Sequence, residues 1–216
     1  TTIPFVASLP CETGGVASSW GATADDYASP VFPIGFNFCF YGVTYNNFVI
    51  SPNGFMTFTS SFADDYSSYD AVTLPLNNTI QRPPNSIYGA WMDIDVSQSF
   101  STGTITYETV GSAPFRALIV KWNNCSYFGQ VCASAKLNMK IVLYETSNII
   151  DIYIGSKPSP NPTCPNYVKI ATQGIQGNNS TQFAVTPGRN ATIWPISNDA
   201  VRFSPSGVNY PFTVTW

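Results

Sequence analysis

Histidine is missing from all 216 residues. That one absence removes Ser-His-Asp triads, imidazole general bases and histidine metal ligands together. Charge is scarce as well: Asp, Glu, Lys and Arg make up 10% of the chain, where about a quarter is usual. The 9 Lys and Arg are scattered singly and the net charge is −3, which excludes a nucleic-acid partner. There is no Cys-x-x-Cys pair of the kind that holds zinc, and no glycine loop that cradles phosphate. No run approaches the roughly 18 apolar residues that span a bilayer. No segment places apolar residues at i, i+3, i+4 and i+7 over the length of a helix. Gly and Pro, 15 and 17 in number, punctuate the chain too often for one, and no internal repeat is present.

What is present points outside the cell. The chain is 44% hydrophobic and 15% aromatic, enough for a substantial core. Its polarity comes from Ser, Thr and Asn rather than from ions, which suits a secreted domain. Five cysteines in such a chain indicate an oxidising compartment and allow at most two bridges. Cys125 and Cys132 are close enough in sequence for local pairing, and Cys11–Cys39 is a further pair to consider. Cys39 also reads as a buried thiol inside an aromatic strand. The chain begins Thr1-Thr2-Ile3-Pro4 with no initiator Met, and ends in the strand-like Pro211–Trp216. Residues 1–216 are therefore expected to form one domain excised from a longer multidomain chain.

The pattern is that of short strands. Val31–Tyr41 alternates, with Ile34, Phe36, Phe38 and Phe40 on one face and Asn37 and Cys39 on the other. Asn46–Ile50 and Phe55–Thr59 flank Ser51-Pro52-Asn53-Gly54, an Asn-Gly hairpin turn. Ile87–Asp95, Thr104–Thr109 and Phe115–Trp122 form a meander. Lys136–Glu145 and Ile149–Ile154 form a hairpin. Val168–Gln176, Gln182–Val185, Thr192–Trp194, Ala200–Phe203 and Pro211–Thr215 follow. About a dozen strands in two packed sheets make an all-β antiparallel sandwich, expected to be jelly-roll-like, with long loops. Ser60–Pro84 is the longest loop, and loops of that length are usually functional or mobile.

The chain is organised around Ile87–Lys121. Its first strand ends in Trp91-Met92-Asp93-Ile94-Asp95. In a strand, Trp91, Asp93 and Asp95 share one face and Met92 and Ile94 the other. An apolar strand that finishes in two carboxylates is built to bind a cation, or to cap the turn that follows. Calcium needs six to eight oxygens, and Asp93 and Asp95 with Asp64 and Asp65 from the long loop form the expected ligand set. A glycosidase would use two carboxylates among Asp93, Asp95, Glu108 and Glu145, but nothing in the sequence faces two of them across a cleft. The aromatic residues Tyr66, Tyr69, Trp91, Tyr127 and Phe128 fall in loops or at strand ends, where they would stack on a sugar or plug the sandwich end. Arg116 sits in an apolar strand and needs a carboxylate, for which Glu145 is placed. Asn77, Asn124, Asn178, Asn179 and Asn190 each open an Asn-x-Ser/Thr sequon.

Several of these stretches recur in a known order. Trp91-x-Asp-x-Asp is followed by Gly103–Tyr107, Arg116, Val120–Asn124, Leu143–Glu145 and Gly174–Gln176. This series resembles the NIDO-type extracellular domain of nidogen and tectorin. Phe38–Gly42, Ser51–Gly54, Leu143–Ile150 and Pro187–Asn190 are more similar still to a β-domain of giant surface adhesins in gliding bacteria. The likeness runs from about residue 30 to 205. It implies a non-enzymatic domain at the cell surface after type IX secretion, with a role in adhesion or gliding motility. Such a domain would bind a surface or glycan, or cap a stalk formed by neighbouring domains of the same chain. The resemblance also implies a Cys132–Cys164 disulfide. Two other readings are a carbohydrate-binding module of a secreted polysaccharide-degrading enzyme and a eukaryotic matrix domain with protein partners.

Overall fold

A computed structural model describes residues 18–20, 25–77, 81–98, 101–206 and 212–215. Its strands are β1 (Ser18–Trp20), β2 (Phe32–Phe40), β3 (Val43–Ser51), β4 (Phe55–Thr57), β5 (Ser86–Trp91), β6 (Thr104–Val110) and β7 (Ala117–Ser126). The second half of the chain adds β8 (Lys136–Tyr144), β9 (Ile150–Lys157), β10 (Ile170–Gln176), β11 (Phe183–Val185), β12 (Thr192–Ile193), β13 (Ile196–Pro205) and β14 (Phe212–Thr215). One sheet runs β1-β6-β7-β8-β9-β13-β14, and the other runs β11-β10-β5-β4-β3-β2, with β12 also paired to β10. All the pairings are antiparallel. The result is the expected β-sandwich. Within it β2–β5 and β6–β9 are meanders, so two facing meanders stand where a jelly-roll path was expected.

Alternation decides which side chains meet between the sheets. Ile34, Phe36, Phe38 and Phe40 of β2 all point inwards and are buried. They join Leu118, Val120 and Trp122 of β7 and Ile141 and Leu143 of β8 in one continuous apolar core. Gly89 leaves no room for a side chain between the sheets, since a Cβ there would lie 2.5 Å from the Met139 sulfur. The opposite face of β5 is apolar too. Val49, Phe55, Tyr88 and Trp91 form a second cluster, covered by Phe62, Leu74 and Leu76 from the segment between β4 and β5. The described part of that long loop is therefore a packed cover. Thr172 Oγ1 donates to Val72 O, and Asn190 and Gln176 each exchange two hydrogen bonds with the backbone at Leu74 and Leu76.

Arg116 does pair with Glu145, its Nε donating to Oε2 at 2.8 Å. Cys132 and Cys164 form a disulfide across 32 residues. Cys125 is a buried free thiol, so the local Cys125–Cys132 pairing gives way. Cys39 is free and half-buried, and its expected partner Cys11 lies outside the described residues. Closing a loop of this length stabilises a domain by about 3–4 kcal/mol. Cys132→Ser combined with Cys164→Ser should lower the stability measured by urea denaturation by that amount; an unchanged midpoint would leave the bridge without a stabilising role.

Candidate functional site

The acidic end of β5 departs from strand geometry. The strand stops at Trp91, and the next four residues cross from one sheet to the other. Met92 N–H donates to Asn53 O, and Ile94 N–H to Asn53 Oδ1 at 3.0 Å. On the far side Ile94 bridges to Tyr127, Phe128 N–H donates to Asp93 O, and Asp95 N–H donates to Ser126 O. Asp93 thus hangs between the two sheets at one end of the sandwich, 3% exposed.

Four other segments converge there. Asp25 and Asp26 precede a short pairing of Tyr27 with Tyr66, and Asp26 Oδ1 accepts from Asn53 Nδ2 at 2.8 Å. Tyr69 belongs to the loop that covers β5. Phe128 follows β7, and Tyr167 stands on a single helical turn, α1 (Asn166–Lys169). The disulfide joins the last two segments, since Cys132 lies four residues after Phe128 and Cys164 three before Tyr167. Together Asp25, Asp26, Asp93, Tyr69, Phe128 and Tyr167 line a cavity of about 150 Å³. A larger hollow of about 380 Å³ lies over β7–β9, lined by Lys121, Asn123, Asn138, Lys140 and Ser156 among others, but both lysines already have partners.

The charges that act on the carboxyl groups of the cavity are all negative. Burial and then the charges of Asp26, Asp25, Asp70 and Asp95 push the Asp93 carboxyl up to about 8 from 3.8. Burial and the charges of Asp26 and Asp95 push Asp25 up to about 6. Asp26 is also raised by burial, with its hydrogen bond from Asn53 opposing the rise. Asp95 caps the following turn, its Oδ1 accepting from Ser97 N–H and Oγ–H at 2.8 and 2.6 Å. Its Oδ2, like Asp25 Oδ1, is buried and meets no donor among the described residues.

The residues singled out from the sequence separate into those at the pocket and those elsewhere. Asp93, Tyr69 and Phe128 line it, and Asp95 lies close enough to act on the charges of Asp25, Asp26 and Asp93. Tyr66 is half-buried beside it, its phenol pushed up to about 12 by burial and by Asp26, Tyr69, Asp70 and Asp93. Trp91 and Tyr127 are corrections. Both are fully buried, and their polar atoms are spent on Ser68 O and Pro158 O, so neither offers a face to a ligand. Asp64 is exposed at a positive φ of 57°, and Asp65 Oδ1 accepts from Tyr66 N–H; neither acts on Asp93. In the structure Asp25, Asp26 and Asp70 stand where Asp64 and Asp65 were expected. Glu145 is held by Arg116, away from this end. Sequence reasoning missed Asp25, Asp26 and Tyr167 as site residues. The Asp-Asp pair inside a Ser, Gly and Ala stretch was the available signal.

The chain matches the model of the family described as NIDO related over residues 8–213, and it belongs to that family. No curated protein and no solved structure matches it.

Folding raises the Asp93 pKa, so the folded protein keeps a proton that the unfolded chain releases. Its contribution to stability is complete below about pH 4 and is lost as pH climbs towards 8. The ligand-free domain should therefore melt at progressively lower temperature across that window. Asp93→Asn should flatten the profile and add about 1–3 kcal/mol at pH 8, the scale of an unmet buried polar group. Thermal melts at several pH values check this, and an identical profile in the variant would contradict the placement of the carboxylate.

Proposed function

We propose that this is a non-enzymatic binding domain of a long cell-surface protein, and that it holds a glycan in the Asp93 pocket. One observation carries the reading: a cavity at the sandwich end is walled by three aromatic rings and three carboxylates with no counter-charge of their own. Aromatic faces stack on sugar rings, and buried carboxylates accept hydrogen bonds from hydroxyls. Membership of a NIDO-related family and a disulfide between two pocket-bearing loops support an extracellular setting. Within this reading the parent chain is a surface adhesin of the kind found in gliding bacteria, exported by type IX secretion, with neighbouring domains that form its stalk. The alternative is a carbohydrate-binding module beside a polysaccharide-degrading catalytic domain. The gene's flanking sequence separates the two.

Calcium at these carboxylates is a second proposal: the buried, donorless oxygens of Asp25 and Asp95 favour it, although among the described residues no three acidic side chains are gathered as a metal ion requires. A glycan array with the isolated domain, run with calcium and with a chelator, tests both. The expected result is binding to a defined sugar, weakened at least tenfold by Tyr69→Ala, with no product released from the bound glycan. Silence in both conditions would overturn the glycan reading. Binding that the chelator abolishes would establish the calcium one.

A further inference from the structure

The chemistry of the pocket says more about its ligand than that it is a glycan, and the narrower assignment rests on the glycan reading. Three features narrow the choice. The first is charge. Asp93 is 97% buried and lines the cavity, and the charges acting on it come from four other carboxylates; two of these, Asp25 and Asp95, each have a buried oxygen that meets no donor among the described residues. An occupant that brings positive charge relieves this repulsion, and a neutral sugar does not.

The second feature is spacing. A divalent cation draws carboxylate oxygens to within about 2.6 Å of one point. Among the described residues no group of three or more acidic, Cys or His side chains is gathered as a metal ion requires. The carboxylates border a cavity of about 150 Å³ instead, room for a group larger than a bare ion. That volume is below the usual range for a drug-sized ligand, so it suits one ring and not a run of them.

The third feature is the wall. Tyr69, Phe128 and Tyr167 supply flat π faces beside the carboxylates. Aromatic rings next to acidic groups are the chemistry that holds ammonium ions. An ammonium needs only one or two close carboxylates, with the others acting through charge, so Asp25, Asp26 and Asp93 can serve it from around the cavity without meeting at one point. Three flat rings match the disc of a pyranose better than the thin stem of a lysine.

We infer that the pocket takes an unacetylated amino sugar, whose ammonium sits among Asp93, Asp25 and Asp26 while Tyr69, Phe128 and Tyr167 flank its ring.

Calorimetry at pH 6.5, where free Asp93 still holds its proton and an ammonium must displace it, tests this with four probes: a glucosamine trimer, its fully N-acetylated counterpart, calcium chloride alone and a lysine tripeptide. The glucosamine trimer should bind at least tenfold more tightly than the acetylated one. Asp93→Asn should weaken that binding at least tenfold while leaving the domain folded by its melting curve. Tyr167→Ala, at a residue 48% exposed and so little involved in packing, should weaken it as well. Equal binding of the acetylated trimer, insensitive to Asp93→Asn, would overturn the amino-sugar inference and leave the glycan reading standing. Binding of neither trimer would overturn both. Calcium that binds alone and is lost in Asp93→Asn, with no response to the amino sugar, would replace the inference with a metal site. A lysine tripeptide that binds as well as the amino sugar would replace it with a peptide partner.

Discussion

Asn53 holds this end of the molecule together. It is fully buried in the turn between β3 and β4, and every polar group it has is used. Its carbonyl and Oδ1 receive Met92 and Ile94 as the chain leaves β5. Its Nδ2 donates to Asp26 and to Ser67 O. Three segments far apart in sequence are thereby fixed around one side chain. Gly54 beside it makes the arrangement possible: its φ is +82°, and a Cβ there would lie 2.3 Å from Ala90 O. The Asn-Gly pair that turns the hairpin also lets β5 pass close enough to be caught. Asn53 therefore sets where Asp93 hangs and holds Asp26 near it.

From that constraint the electrostatics follow. Asp25, Asp26, Asp93 and Asp95 sit together because backbone hydrogen bonds and packing put them there, and not because the carboxylates attract one another. Their repulsion is a cost that folding elsewhere absorbs, through the core between the sheets and the apolar cover over β5. Strain of this kind is retained at sites where an occupant relieves it. The disulfide serves the same end by tying the Phe128 loop to the segment that bears Tyr167.

Strand positions were legible because period-two alternation survives in a half-buried sheet. The inward set of β2 could be read residue by residue, and the Asn-Gly turn marked the hairpin after β3. The cover over β5 was not legible. Phe62, Leu74 and Leu76 are isolated anchors with no period, so their loop read as open. The acidic end of β5 stood out, but its partners did not, because Asp25 and Asp26 meet Asp93 only across a long stretch of intervening sequence. Their place in the long loop favoured Asp64 and Asp65, whereas Asp64 is exposed at a positive φ. Trp91 and Tyr127 show the same limit, since a strand-end aromatic looks alike whether it is buried or displayed. The Arg116–Glu145 pair was legible because an arginine in an apolar strand leaves few choices.

The proposed binding at this end rests on a cluster of carboxyl groups in which every charge acting on Asp93 is negative. An NMR titration of the aspartate carboxyl carbons in the ligand-free domain tests that most directly. Asp93 should titrate far above the ordinary carboxylate range, at about 8. A midpoint at about 4, the ordinary value for an aspartate, would mean that water or a cationic side chain already answers its charge, and the pocket would lose its reason to take a cationic ligand.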